Sequence, residues 1–178
     1  MKPNFAPVLW ITGLSDAGKT TTSKILVDKL REENIKVIAL DGDELRKIFK
    51  SKDFSIQSRI ELGFQYSNLC QVLSSQGILT VISCIGLLKE IHAYNRKNIK
   101  NYIDIFLDVP IEVLIKRDSK GIYKGFKEGK INNVYGLDIN YDKPSSPKIH
   151  VKYDINQSPN SVATNIFEEL KNMHLINN

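Results

Sequence analysis

The chain is predicted to be an α/β protein with three layers, helices packed on both faces of a five-stranded parallel sheet. Three observations carry this expectation. Short apolar runs alternate with longer stretches of helical period along the chain. Hydrophobic residues at 42% and charged residues at 25% match ordinary globular usage, which excludes a disordered, collagen-like or coiled-coil chain. The 178 residues suit one domain, residues 1–178, with a single buried core.

Residues 7–12 read as a buried strand, because Val8, Leu9, Trp10 and Ile11 form a continuous apolar run that Gly13 stops. The period then switches. Thr22, Ile25, Leu26 and Leu30 recur at helical spacing to about Glu33, and Asn34 supplies a stop. Residues 36–40 form a second strand, closed by the turn chemistry of Asp41-Gly42-Asp43. A longer helix covers about 58–75, with Ile60, Phe64, Leu69, Val72 and Leu73 as its apolar positions and Gly77 beyond its end.

Residues 78–83 give the third strand, about 87–98 a helix and 103–107 the fourth strand. Pro110 opens a short helix, where its missing N–H costs nothing. From about 118 to 147 the periodicity fades into Gly- and Lys-rich sequence, too long for an ordinary connection, and this stretch is expected to be a mobile lid. A strand at about 149–153 and a helix at about 161–173 complete the alternation. Such alternation implies parallel strands joined by right-handed crossovers, and these sheets bind ligands beyond the carboxyl ends of their strands.

Gly13-Leu14-Ser15-Asp16-Ala17-Gly18-Lys19-Thr20 fits G-x-x-x-x-G-K-[ST] between the first strand and the first helix, which refines the fold to the P-loop NTPase type. The glycines let backbone N–H groups surround nucleotide phosphates, with Thr21 following at the helix start. Lys19 supplies a point charge for the outer phosphates and the Thr20 hydroxyl can ligate Mg²⁺. Asp16 would repel a phosphate if aimed inward, so it is expected to point outward; Asp tolerates left-handed backbone. After the second strand, at what reads as the adjacent carboxyl edge, Asp41, Asp43 and Arg46 place two carboxylates and a guanidinium near a transferable phosphate. Asp43 suits the acceptance of a hydroxyl proton, and Arg46 the holding of an anionic acceptor.

The chain resembles the adenylylsulfate kinase family over nearly its whole length. The matching stretches run from Gly13-Leu14-Ser15 to Lys19-Thr20-Thr21, then Leu40-Asp41-Gly42-Asp43 with Arg46, Phe54 with Arg59, and Phe106-Leu107-Asp108-Val109-Pro110. Arg117-Asp118-Ser119-Lys120-Gly121-Ile122-Tyr123-Lys124, Gly136-Leu137-Asp138 and Tyr141 follow in the family's order. The resemblance implies an ATP- and Mg²⁺-dependent kinase that phosphorylates the ribose 3′-hydroxyl of a nucleotide acceptor. Carried over residue by residue, it makes Asp43 the base or the group that orients the hydroxyl, and puts Arg117 on the ATP side. Arg46, Arg59 and Lys120, with Asp41, become acceptor anchors, and Phe54 a wall for the acceptor base.

The departures fall on the acceptor side. The family's Arg-x-x-Asn becomes Arg59-Ile60-Glu61-Leu62, its Ile-Ser-Pro-aromatic becomes Ile85-Gly86-Leu87-Leu88, and the aromatic that stacks on the acceptor adenine is matched by Val134, with Tyr135 beside it. A lost hydrogen bond and a lost stack each cost on the order of 1 kcal/mol. The pattern resembles the cytidine diphosphoramidate kinase branch of capsular phosphoramidate biosynthesis, whose smaller pyrimidine needs less stacking surface. Adenylyl sulfate is the alternative acceptor, and an ATP-binding module without catalysis the alternative of another class.

The net charge of +5 favours anionic partners, but no nucleic-acid recognition signature and no Asn-Lys-x-Asp motif of G proteins is present. Two cysteines, Cys70 and Cys84, make neither a disulfide framework nor a zinc site, and His92, His150 and His174 lack ligand spacing. The start Met1-Lys2-Pro3-Asn4-Phe5 lacks a signal-peptide core and no stretch approaches the roughly 18 apolar residues of a membrane helix, so the expectation is a cytoplasmic protein off the membrane. The oligomeric state stays open, a homodimer included.

Overall fold

Five apolar runs pair in parallel in the computed structural model, which describes residues 5–176; Met1 to Asn4 lie outside them. They are β1 (Val8–Thr12), β2 (Val37–Asp41), β3 (Leu79–Ser83), β4 (Tyr102–Asp108) and β5 (Ile149–Lys152), in the spatial order β2-β3-β1-β4-β5. Every residue of β1 and β3 is buried, as a strand covered on both faces requires. β2 does not neighbour β1 as expected: β3 lies between them, pairing Asp41 with Ser83 and Ile11 also with Ser83.

The helices are α1 (Lys19–Glu32), α2 (Gly42–Ile48), α3 (Ile56–Ser75), α4 (Lys89–Asn98), α5 (Ile111–Arg117), α6 (Ile122–Lys127) and α7 (Pro159–Asn172). α1 packs with α7 and α3 with α4, sandwiching a core in which Trp10, Ile11, Leu26, Ile82, Ile105 and Leu170 have no exposed surface. Fully burying one such side chain stabilises the fold by roughly 1.5–3 kcal/mol. Serine hydroxyls set two of the starts: Ser55 accepts from Ser58 N–H, and Ser158 from Ser161 N–H with Pro159 in the first turn of α7.

The buried face of α3 is not the one that its large apolar residues predict. Leu62, Gly63, Tyr66, Ser67, Cys70 and Ser74 are buried, while Val72 is exposed. Small residues let α4 come close: a Cβ on Gly63 would run into the Ile91 side chain, which would have to shift to admit it. Two helices appear where loop was expected. α2 replaces the turn after β2 because the Asp41 carboxylate accepts from Asp43 N–H and Glu44 N–H. α6 forms inside the stretch 118–147 because Asp118 accepts from Tyr123 N–H and Lys124 N–H. The same stretch returns to the body as a strap: Asp142 N–H donates to Leu87 O, Lys89 N–H to the Asp142 carboxylate, and Arg96 to the Ser145 hydroxyl.

Candidate active site

Beyond the carboxyl ends of β1, β2 and β3 lies a cleft of about 860 Å³ whose two ends are made of different material. One end is the loop between β1 and α1. Gly18, at φ +94°, is the residue before α1 and offers no side-chain cap, so the N–H groups of the first helical turn are free for an anion. Leu14 and Ala17 are buried, and this loop presents backbone to the cleft rather than their side chains. Lys19 Nζ donates to Leu14 O at 2.7 Å; enclosure by protein pushes its ammonium down to about 8, against the pull of nearby Asp43 and Asp16.

Asp41 stands with this end and not with the acceptor anchors. Its carboxylate accepts from the hydroxyls of Thr20 at 2.9 Å and Ser83 at 3.1 Å as well as capping α2. Burial would raise this carboxyl, and those hydrogen bonds outweigh it, holding it below its ordinary value. Thr20, Asp41 and Ser83 form an all-oxygen donor set, the chemistry Mg²⁺ takes when it keeps several waters and phosphate oxygens. No group of three or more His, Cys, Asp or Glu is placed to hold a metal ion among the described residues.

Asp16 has the left-handed backbone that Asp tolerates, at φ +59°, but its side chain does not point out to solvent. One carboxylate oxygen accepts from the Ser119 hydroxyl, and the other is shielded from solvent with no hydrogen-bond partner among the described residues. Arg117 donates to Asp16 O at 3.3 Å, its guanidinium lies 5.3 Å from the Tyr153 ring, and Pro159 adds to the same wall. Sequence reasoning missed Ser119, Tyr153 and Pro159; only the start of α7 at Pro159 carried a signal.

The other end is built from side chains. Asp43 Oδ2 accepts from Lys120 Nζ at 2.5 Å, and this hydrogen bond raises the Lys120 ammonium. Arg46 donates to Asp53 O at 2.8 Å and lies 4.3 Å over the Phe54 ring. Arg59 lies 5.5 Å from Phe54 and 4.3 Å over Tyr135, and donates to Phe54 O and Asn133 O. Phe54 is 46% exposed, so it is no core residue; it is held between two guanidiniums in a row that ends on Tyr135.

Leu62 and Val134 line the same end, with Ile91 and Ile131, which the sequence did not single out. Ile85 and Gly86 line it too; a Cβ on Gly86, at φ +50°, would press on Trp10 Nε1 at 3.1 Å. Leu87 does not take part as expected. It is fully buried in the core, and its carbonyl serves the strap.

A phosphate-type loop, an aspartate meeting a lysine from the stretch 118–147 and a row of stacked arginines thus line one cleft. Known proteins resemble the chain over most of its length. A cytidine diphosphoramidate kinase of Campylobacter jejuni is 38% identical over 139 residues, 78% of this chain and 82% of that protein. An adenylyl-sulfate kinase of Gloeothece citriformis is 34% identical over 155 residues, 86% and 88% of the two chains. The solved APS kinase of Mycobacterium tuberculosis in complex with AMPPNP and APS superposes with a TM-score of 0.88 at 29% identity, covering 95% of this chain and 99% of that one. The pattern of the adenylylsulphate kinase family matches residues 6–152, and the chain belongs to that family of kinases.

Proposed function

We propose that the chain transfers the γ-phosphoryl group of ATP to the ribose 3′-hydroxyl of cytidine diphosphoramidate. The backbone N–H groups from Gly13 to Thr20 cradle the donor phosphates, Lys19 neutralises charge on the outer ones, and Arg117 with Tyr153 and Pro159 holds the donor base. Thr20, with Asp41 and Ser83 behind it, would hold Mg²⁺, which when bound supplies charge neutralisation across the donor phosphates. Arg46, Arg59 and Lys120 take the anionic part of the acceptor, and Phe54 its base.

Lys120 and Asp43 are 50% and 68% exposed, so their ion pair is a weak surface contact that an acceptor phosphate can draw apart. Asp43 Oδ2 is then free for the acceptor hydroxyl. The hydroxyl oxygen forms the new bond to the γ-phosphorus, the bond from that phosphorus to the β-γ bridging oxygen breaks, ADP leaves, and Asp43 receives the proton. The lid segment carrying Lys120 and Asn133 covers the cleft and keeps water from competing as acceptor.

The observation that carries the acceptor assignment is the wall at Leu62 and Val134. Both are buried against the cleft, at 4% and 6% exposure, in the places where the adenylylsulfate pattern has an amide and a stacking aromatic. Adenylyl sulfate is the second reading, favoured by the complete row from Arg46 to Tyr135. A coupled MgATP-to-ADP assay with both acceptors in parallel, and phosphorus NMR of the product, separates them. Faster turnover of the cytidine compound is expected; faster turnover of adenylyl sulfate overturns the assignment, and no acceptor-dependent turnover overturns the kinase reading of this chain.

A further inference from the structure

Asp16 and Ser119 occupy positions that both motifs leave open: Asp16 is one of the free residues of G-x-x-x-x-G-K-[ST], and Ser119 is the x of Arg-Asp-x-Lys-Gly-x-Tyr. The fold joins them across the mouth of the cleft, with the Ser119 hydroxyl donating to Asp16 Oδ1. By electrostatics alone a carboxylate is the wrong side chain for a loop that faces phosphates. Its Oδ2, shielded and without a partner among the described residues, adds a desolvation cost that brings the fold no return. Side chains that break local rules in this way mark functional places.

The surroundings say what the function is. Three donors from one short stretch reach the same two loop residues: the Ser119 hydroxyl to the Asp16 carboxylate, Arg117 Nη1 to Asp16 O at 3.3 Å and the Tyr123 hydroxyl to Ser15 O at 3.1 Å. Between them Asp118, at φ +29°, turns its own carboxylate the other way to cap α6. Of the three contacts, only the Ser119 hydrogen bond joins side chain to side chain, so only it depends on which residue follows Gly13-Leu14-Ser15.

We propose that Asp16 and Ser119 form a latch that holds the lid over the phosphate loop before the donor nucleotide arrives. They are positioning residues, acting through the lid and not on the reacting atoms, and the proposal rests on the reading of this loop as the donor site. A contact present in the ligand-free closed form raises the population of that form, so the nucleotide no longer has to order the lid. The same hydrogen bond ties the Asp16 charge to the lid and away from the bound phosphates. The latch therefore sets donor affinity and leaves the phosphoryl-transfer step alone.

Hydrogen exchange of the ligand-free chain over residues 118–133, with calorimetry of a non-hydrolysable ATP analogue and Mg²⁺, tests this. Ser119→Ala is expected to speed exchange across that stretch and to weaken analogue binding about fivefold, the scale of one lost hydrogen bond, with kcat changed less than twofold. Asp16→Ala should speed exchange across the same stretch, and the double variant should speed it no more than either single one. Asp16→Asn keeps an accepting oxygen and should retain the protection of the unaltered chain. Unchanged exchange in Ser119→Ala, or additive losses in the double variant, overturns the latch. If the unaltered chain fails to bind the analogue, the donor-site reading falls instead, while the exchange comparison still decides the latch.

Discussion

The two ends of the cleft, which the proposed function assigns to two anions, are built differently. The loop from Gly13 to Thr20 uses backbone: a left-handed Gly18, unpaired N–H groups at the start of α1 and one lysine enclosed by protein. The opposite end uses side chains that come from α2, the loop after it, α3 and the stretch 118–147 and brace one another, Arg46 on Phe54, Phe54 on Arg59, Arg59 on Tyr135. A backbone site tolerates few substitutions and recognises what all its ligands share, a polyphosphate. A side-chain site can exchange one residue at a time, so selectivity can change there while the chemistry at the other end persists.

That contrast is broken most severely at Lys19. Lys19→Ala removes the one cationic side chain of the phosphate loop, and turnover is expected to fall roughly 100-fold or more, because charge that develops on the transferred group loses a fixed counter-charge. Steady-state kinetics at saturating MgATP measure it. Near-normal turnover would show that the backbone alone carries the donor end.

A smaller effect on the same residue comes from pH. In the ligand-free chain enclosure lowers the Lys19 ammonium to about 8, whereas a bound polyphosphate favours its charged form. Binding then takes up a proton above pH 8, so kcat/KM for MgATP should decline there, to about tenfold below its plateau at pH 9, while kcat at saturation stays level. The sign for stability is opposite. An unfolded lysine holds its proton to higher pH than this enclosed one, so the group's contribution to the stability of the ligand-free chain rises as pH climbs from about 8 toward 10.5. A pH profile that bends at the same place for kcat as for kcat/KM would locate the titration elsewhere.

The difference between the two ends also decides what could be read from sequence. Strands buried on both faces announce themselves as apolar runs, and Val8–Thr12 and Leu79–Ser83 lie within a residue of where they were expected. The phosphate loop is contiguous, so its residues were found together. The face of α3 was misread because packing there depends on the smallness of Gly63 and Ser67, and smallness carries no hydrophobic signal. α2 and α6 were missed because Asp41 and Asp118, outside the helices, hold their first turns. The pairing of Asp41 with Thr20 depends on the sheet order, which places Ser83 between them, and the motif alone does not contain that order. The latch joins residues 103 positions apart and was beyond any local pattern.

The acceptor end offers the finest test of the contrast, since two substitutions should move selectivity without touching the chemistry. Leu62→Asn restores an amide to the wall, and Val134→Phe restores a ring beside Tyr135; both positions line the cleft, while Asp43 is held by Lys120 and Lys19 by Leu14 O. One hydrogen bond or one stacking contact is worth on the order of 1 kcal/mol, so each change should raise kcat/KM for adenylyl sulfate relative to cytidine diphosphoramidate about fivefold. Val134 is 6% exposed, and a ring there displaces neighbours, so the thermal midpoint of each variant is measured beside its kinetics. A change in the KM of the acceptor with kcat and the KM for MgATP preserved is the expected signature of a wall that only reads the base. If both acceptors lose equally while the midpoint holds, Leu62 and Val134 shape the cleft without choosing its occupant, and selectivity must lie in the row from Arg46 to Tyr135.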